Sequence, residues 1–78
     1  MDIDNLVGMA NRIGDFFAAL PDAVEAQASI AGHLQRFWDP RMRREIVAHV
    51  ERGGAGLSEI VRKAIAANRD KLMPAQCR

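Results

Sequence analysis

The chain has 78 residues, 27% of them charged, and a formal net charge of +1. That length accommodates one small domain, and the near-balanced charge excludes a whole-molecule pull towards nucleic acid or acidic lipid. Cys77 is the single cysteine, which excludes an intrachain disulfide and fits a reducing compartment.

The first predicted helix covers residues 4–20. Asp4 can cap it by accepting a bond from a free backbone N–H. Pro21 ends it, because proline disfavours the helical region for the residue before it. At the helical period, Phe16, Met9, Leu20, Ile13, Leu6 and Phe17 share one face, and Ala10, Gly14, Val7 and Ala18 fill the next sector. Together they cover roughly 200°, about twice the stripe of a simple surface helix. Ala10, Gly14 and Ala18 form a row of small residues along which a second helix can approach closely.

The second helix starts at Asp22, which with Glu25 resembles a capping box. Its apolar face holds Ala23, Ala26, Ile30, Leu34 and Phe37, and Trp38, Ala31 and Val24 widen one side. Asp39 and Pro40 mark a break and a restart, with Asp39 as cap and Pro40 in the first helical position. The third helix then covers residues 40–52, with Met42, Ile46 and Val50 on its face and Val47 at its side. The glycines of residues 53–56 end it in a left-handed turn. Ser58 is the expected cap of a fourth helix whose stripe is Leu57, Ile60, Val61, Ala64, Ile65 and Leu72. Pro74 opens an expected disordered tail over residues 74–78. The predicted fold is all-α, a small bundle of about four short helices forming a single domain over residues 1–73.

No catalytic constellation stands out. His33 and His49 have no cysteine or second histidine at ligand spacing, so a metal site is not expected. His33 reads as a half-buried residue bonded locally, and His49 as a surface partner of Glu45. Ser29 and Ser58 are the only serines, and there is no threonine or tyrosine. The glycines at 53–56 follow a helix rather than a strand, which is not the setting of a phosphate-binding loop. The expectation is a chain that is not an enzyme by itself and holds no cofactor. The acidic start lacks the basic and apolar regions of a secretory signal, and no apolar run approaches the roughly 20 residues of a membrane span. A cytoplasmic protein with no membrane partner is expected.

The densest feature is residues 33–43, HLQRFWDPRMR. Trp and Arg are the residues most enriched at binding hot spots. The candidate partner-binding residues are Phe16, Phe17, Phe37, Trp38, Asp39, Arg41, Met42, Arg43 and Arg44. Phe37 also belongs to the apolar stripe and is expected in the core, whereas Trp38, at the flank, fits core or interface equally. Arg41 could simply pair with Glu45 one turn on. Arg36, Arg41, Arg43 and Arg44 could neutralise phosphates, but no nucleic-acid recognition motif accompanies them.

Three segments carry a family resemblance: residues 9–17 (MANRIGDFF), 33–43 (HLQRFWDPRMR) and 56–65 (GLSEIVRKAI). In that order they resemble the delta subunit of soluble NAD-dependent formate dehydrogenases, with FWDPRMR the most specific stretch. Residues 23–29 and those after Asn68 add little to it. The resemblance implies a small accessory component of a cytoplasmic complex that oxidises formate to carbon dioxide and passes electrons to NAD. It implies that the alpha subunit carries a molybdenum or tungsten bis-pterin cofactor and iron–sulfur clusters, and that other subunits carry FMN and further clusters. It also implies association with the catalytic alpha subunit in support of assembly, cofactor maturation or stability. A transient maturation chaperone for the same enzyme is the alternative, and a small nucleic-acid-binding module a more distant one. Alone, the chain could form a homodimer through its surplus apolar surface.

Overall fold

The computed structural model describes residues 2–73. Within them the all-α expectation holds, with five helices: α1 Ile3–Phe17, α2 Ala23–Phe37, α3 Pro40–Glu51, α4 Glu59–Ala67 and α5 Arg69–Leu72. The tail expected at residues 74–78, with Cys77, lies outside the described residues.

Short polar signals set the helix ends. Asp2, rather than Asp4, caps α1, its carboxylate accepting from the Asp4 N–H. The first helix stops at Phe17, three residues short of the expected end. Asp22 caps α2 by accepting from the Val24 N–H at 2.9 Å, and Asp39 caps α3 by accepting from the Met42 N–H at 3.0 Å. Pro40 occupies the first turn of α3, where no N–H is needed. Asp39→Ala is therefore expected to destabilise the fold by about 1 kcal/mol, read as a lower urea midpoint at unchanged slope.

Helix α3 ends as expected in glycine. The Gly53 N–H donates to the Val50 carbonyl at 3.0 Å and the Gly54 N–H to the His49 carbonyl at 2.9 Å. This bond pair is a Schellman turn, and the φ values of 116° and 67° at Gly53 and Gly54 explain the residue choice. His49 departs from the surface pairing expected with Glu45: its Nε2 donates to the Ala55 carbonyl at 2.7 Å, bracing the same loop. Ser58 occupies the cap position of α4, but its hydroxyl makes no capping bond. The loop is held instead by Asn11 of α1, whose amide nitrogen donates to the Gly56 carbonyl and whose oxygen accepts from the Ser58 N–H, both at 2.9 Å.

Leu72 is not on α4, as the stripe implied. The helix breaks at Asn68, whose side-chain amide donates to the Ala64 carbonyl at 2.9 Å. The Asn68 carbonyl then accepts from Lys71 and Leu72 to start α5. The offset drops Leu72 into the core, where it is fully buried.

Leu6, Ile30, Leu34, Ile46, Val61, Ile65 and Leu72 form the centre of the core. Helix α4 packs most extensively on α2, while α1 touches α2, α3 and α4. Three neighbours account for most of the wide apolar arc of α1. The row of small residues is where α4 closes in: a Cβ built on Gly14 would lie 2.3 Å from Val61 Cγ2.

Candidate interaction surface

The corner between α2 and α3 reverses the expected roles of its two aromatics. Trp38 is 5% exposed and belongs to the core, whereas Phe37 is 70% exposed. Trp38 sits just past the last helical residue, with φ −89° and ψ 137°, so extended backbone carries its indole inwards. Phe37 lies in the last turn of α2. Helix α1 reaches α2 at His33, through Phe17, and Phe37 is one turn further on. The expectation of Phe37 in the core is thus corrected.

Phe16 is 74% exposed although it lies on the apolar arc of α1. It is the next-to-last residue of the helix, where the chain turns away. Phe17 is half-buried against the core. The four rings form a continuous chain across two helices. Phe16 and Phe17 meet edge-on at 5.0 Å between centroids, Phe17 and His33 at 6.2 Å, and His33 and Phe37 at 4.7 Å. His33 was expected to be bonded locally; among the described residues its ring pairs with these two phenyl rings and makes no side-chain hydrogen bond.

The remaining candidates divide. Met42 turns inwards and packs against the core. Asp39 is exposed, with its carboxylate engaged as a cap. Arg41 and Arg44 are exposed, and Arg43 is half-buried with an Nε that is shielded and makes no hydrogen bond. Among the described residues Arg41 and Glu45 form no ion pair. The ion pairs are Lys63–Glu59 at 3.1 Å, Arg69–Glu51 and Arg69–Asp70. Two of these pairs shift a titration. The hydrogen bond and charge of Lys63 lower the Glu59 carboxyl, with help from Arg62, and Glu51 raises Arg69. Among the described residues, no three His, Cys, Asp or Glu side chains gather where they could hold a metal ion. Among the described residues, no helix is long and apolar enough to cross a membrane.

The profile of the NADH-dependent formate dehydrogenase delta subunit family, FdsD, matches residues 5–65. The chain belongs to this family. No match was found among curated proteins or among solved structures. The family match runs from the start of α1 almost to the end of α4, so it contains both helices that carry the aromatic chain. The delta-subunit segment at residues 33–43 serves two ends in the fold. Trp38, Asp39 and Pro40 build the α2–α3 corner, while His33 and Phe37 face outwards.

Sequence reasoning missed Arg12 and Gly32, which also border the exposed rings. Gly32 carried a readable signal. A glycine inside a helix is about 1 kcal/mol less favourable than alanine, yet no cap or positive φ accounts for it here. A Cβ on Gly32 would meet nothing within 4 Å. Arg12 carried none, because an exposed arginine on a helix is ordinary.

Proposed function

We propose that the chain is a non-catalytic accessory subunit of a cytoplasmic NAD-dependent formate dehydrogenase. It docks on the catalytic alpha subunit and supports assembly, cofactor maturation or stability of the complex. The molybdenum or tungsten bis-pterin cofactor, the iron–sulfur clusters, FMN and the NAD site belong to the other subunits. Family membership supports the setting. The observation that carries the docking is the pair of large aromatics, Phe16 and Phe37, left uncovered on adjoining helices of a small domain. Large apolar side chains grouped on a surface mark interaction sites.

The reading narrows the docking surface to the outward residues of the candidate set. Phe16, Phe17 and Phe37 make the contact, and Arg41 and Arg44 lie on the adjoining α3. Trp38 and Met42 support it from inside. Docking is tested with the double variant Phe16→Ala/Phe37→Ala. Both side chains are exposed, so stability should change by less than about 1 kcal/mol. Capture of the alpha subunit should weaken about tenfold or more. A folded double variant that co-purifies with alpha as well as wild type does would sink this surface. Subunit quantification in the purified enzyme separates a permanent subunit, at equal stoichiometry, from a transient chaperone, which would be substoichiometric.

A further inference from the structure

Two cavities of about 300 and 250 Å³ lie side by side on the α1–α2 face, and Phe17 and His33 line both. They form one open groove, with Phe37 in the first cavity and Phe16 in the second. Its floor is open at Gly32, where a side chain would project into empty space. The formally charged side chains that line it are Arg12 and Arg36, one in each cavity. Both are exposed, and neither forms an ion pair among the described residues, unlike Lys63 and Arg69. Among the described residues, no carboxylate lines the groove. A second copy packed groove against groove would add only the same two guanidiniums, with no carboxylate from either groove lining to offset them. Like-charge contact of this kind disfavours a partner. The groove therefore complements an apolar segment that carries its own acids.

We propose that this groove receives a short apolar segment of the catalytic subunit, flanked on each side by an Asp or Glu that meets Arg12 or Arg36. One large aliphatic or aromatic side chain of that segment sits over Gly32, between Phe17 and Phe37. Apolar anchors with charged flanks are how a groove between helices selects a partner segment. The assignment rests on the docking reading above.

The test uses the full chain and the purified catalytic subunit, with binding followed by biolayer interferometry. Absence of wild-type binding removes the docking reading itself, and this assignment with it. Where wild type binds, Gly32→Leu and Arg12→Glu/Arg36→Glu should each raise Kd about tenfold or more. Lys63→Glu, outside the groove, should stay within about twofold. Groove variants that bind like wild type overturn the groove and leave docking intact. The acids are tested separately with Arg12→Lys and Arg36→Lys, by carbodiimide coupling and mass spectrometry. Amide cross-links from both lysines to Asp or Glu beside apolar residues of the catalytic subunit support the assignment. A complex that forms without a cross-link from either lysine overturns it. Light scattering covers the other occupant. If the groove variants abolish self-association and leave capture unchanged, the groove binds a second copy and the proposal is wrong.

Discussion

Trp38→Ala is expected to destabilise the protein by about 3–5 kcal/mol, the range for truncating a buried aromatic. A chain of this length has about 4–12 kcal/mol to lose. The midpoint of thermal unfolding should therefore fall by roughly 15–30 °C, followed by circular dichroism. The loss arises because Trp38 belongs to the same buried cluster as Leu6, Ile30, Leu34, Ile46 and Leu72. Its removal leaves a void where α2 hands over to α3. The neighbouring Phe37→Ala should cost less than about 1 kcal/mol, because that ring is already mostly in water. Similar losses for the two variants would show that inside and outside are wrongly assigned at this corner. The comparison also guards the functional test. Weakened capture by Trp38→Ala reports unfolding, whereas weakened capture by a folded Phe37→Ala reports the surface.

The same corner shows what a linear pattern can and cannot reveal. Asp39 and Pro40 specify their own positions by local chemistry, a capping acceptor and a missing N–H, so the restart of α3 was legible. The glycines after Glu51 were legible for the same reason, since left-handed backbone favours glycine. Angular position on a helix wheel is a weaker guide near helix ends. Phe37 lies within the apolar sector of α2, but sector says nothing about how far along the axis a neighbouring helix reaches. Trp38 lies outside helical geometry, so the wheel does not apply to it. The arc of α1 was ambiguous in a related way. A wide apolar surface fits an external partner or three internal neighbours equally well, and here α2, α3 and α4 take most of it. What is left over is Phe16, already a candidate from the sequence, which the pattern alone could not separate from the arc residues that the neighbouring helices cover. Asn11 was unreadable because both its bonds reach a loop far along the chain.

Gly14→Leu is expected to be the most damaging single change on α1, costing at least about 3 kcal/mol, the upper end for overpacking a core. Even the first added atom has no room, because a Cβ at Gly14 would lie 2.3 Å from Val61 Cγ2. Val61 cannot retreat, being fully buried against the same core. The helix would have to part from α4, taking with it the Asn11 bonds to the 56–58 loop. Gly14→Ala sets two effects against each other. Alanine favours the helix by about 1 kcal/mol, and the clash disfavours it by about 1–3 kcal/mol, so a net loss is expected. A double-mutant cycle isolates the clash. Val61→Ala removes the methyl that Gly14 faces, and in that background Gly14→Ala should become neutral or stabilising, a coupling of about 1–2 kcal/mol. Additivity within about 0.5 kcal/mol would mean that the two residues do not meet. Gly32 supplies the opposite control, since it too is an interior helical glycine, but one whose Cβ would meet nothing. Substitution there should strengthen the helix and block only the groove. The two glycines thus separate close packing inside the bundle from the open space of the proposed groove.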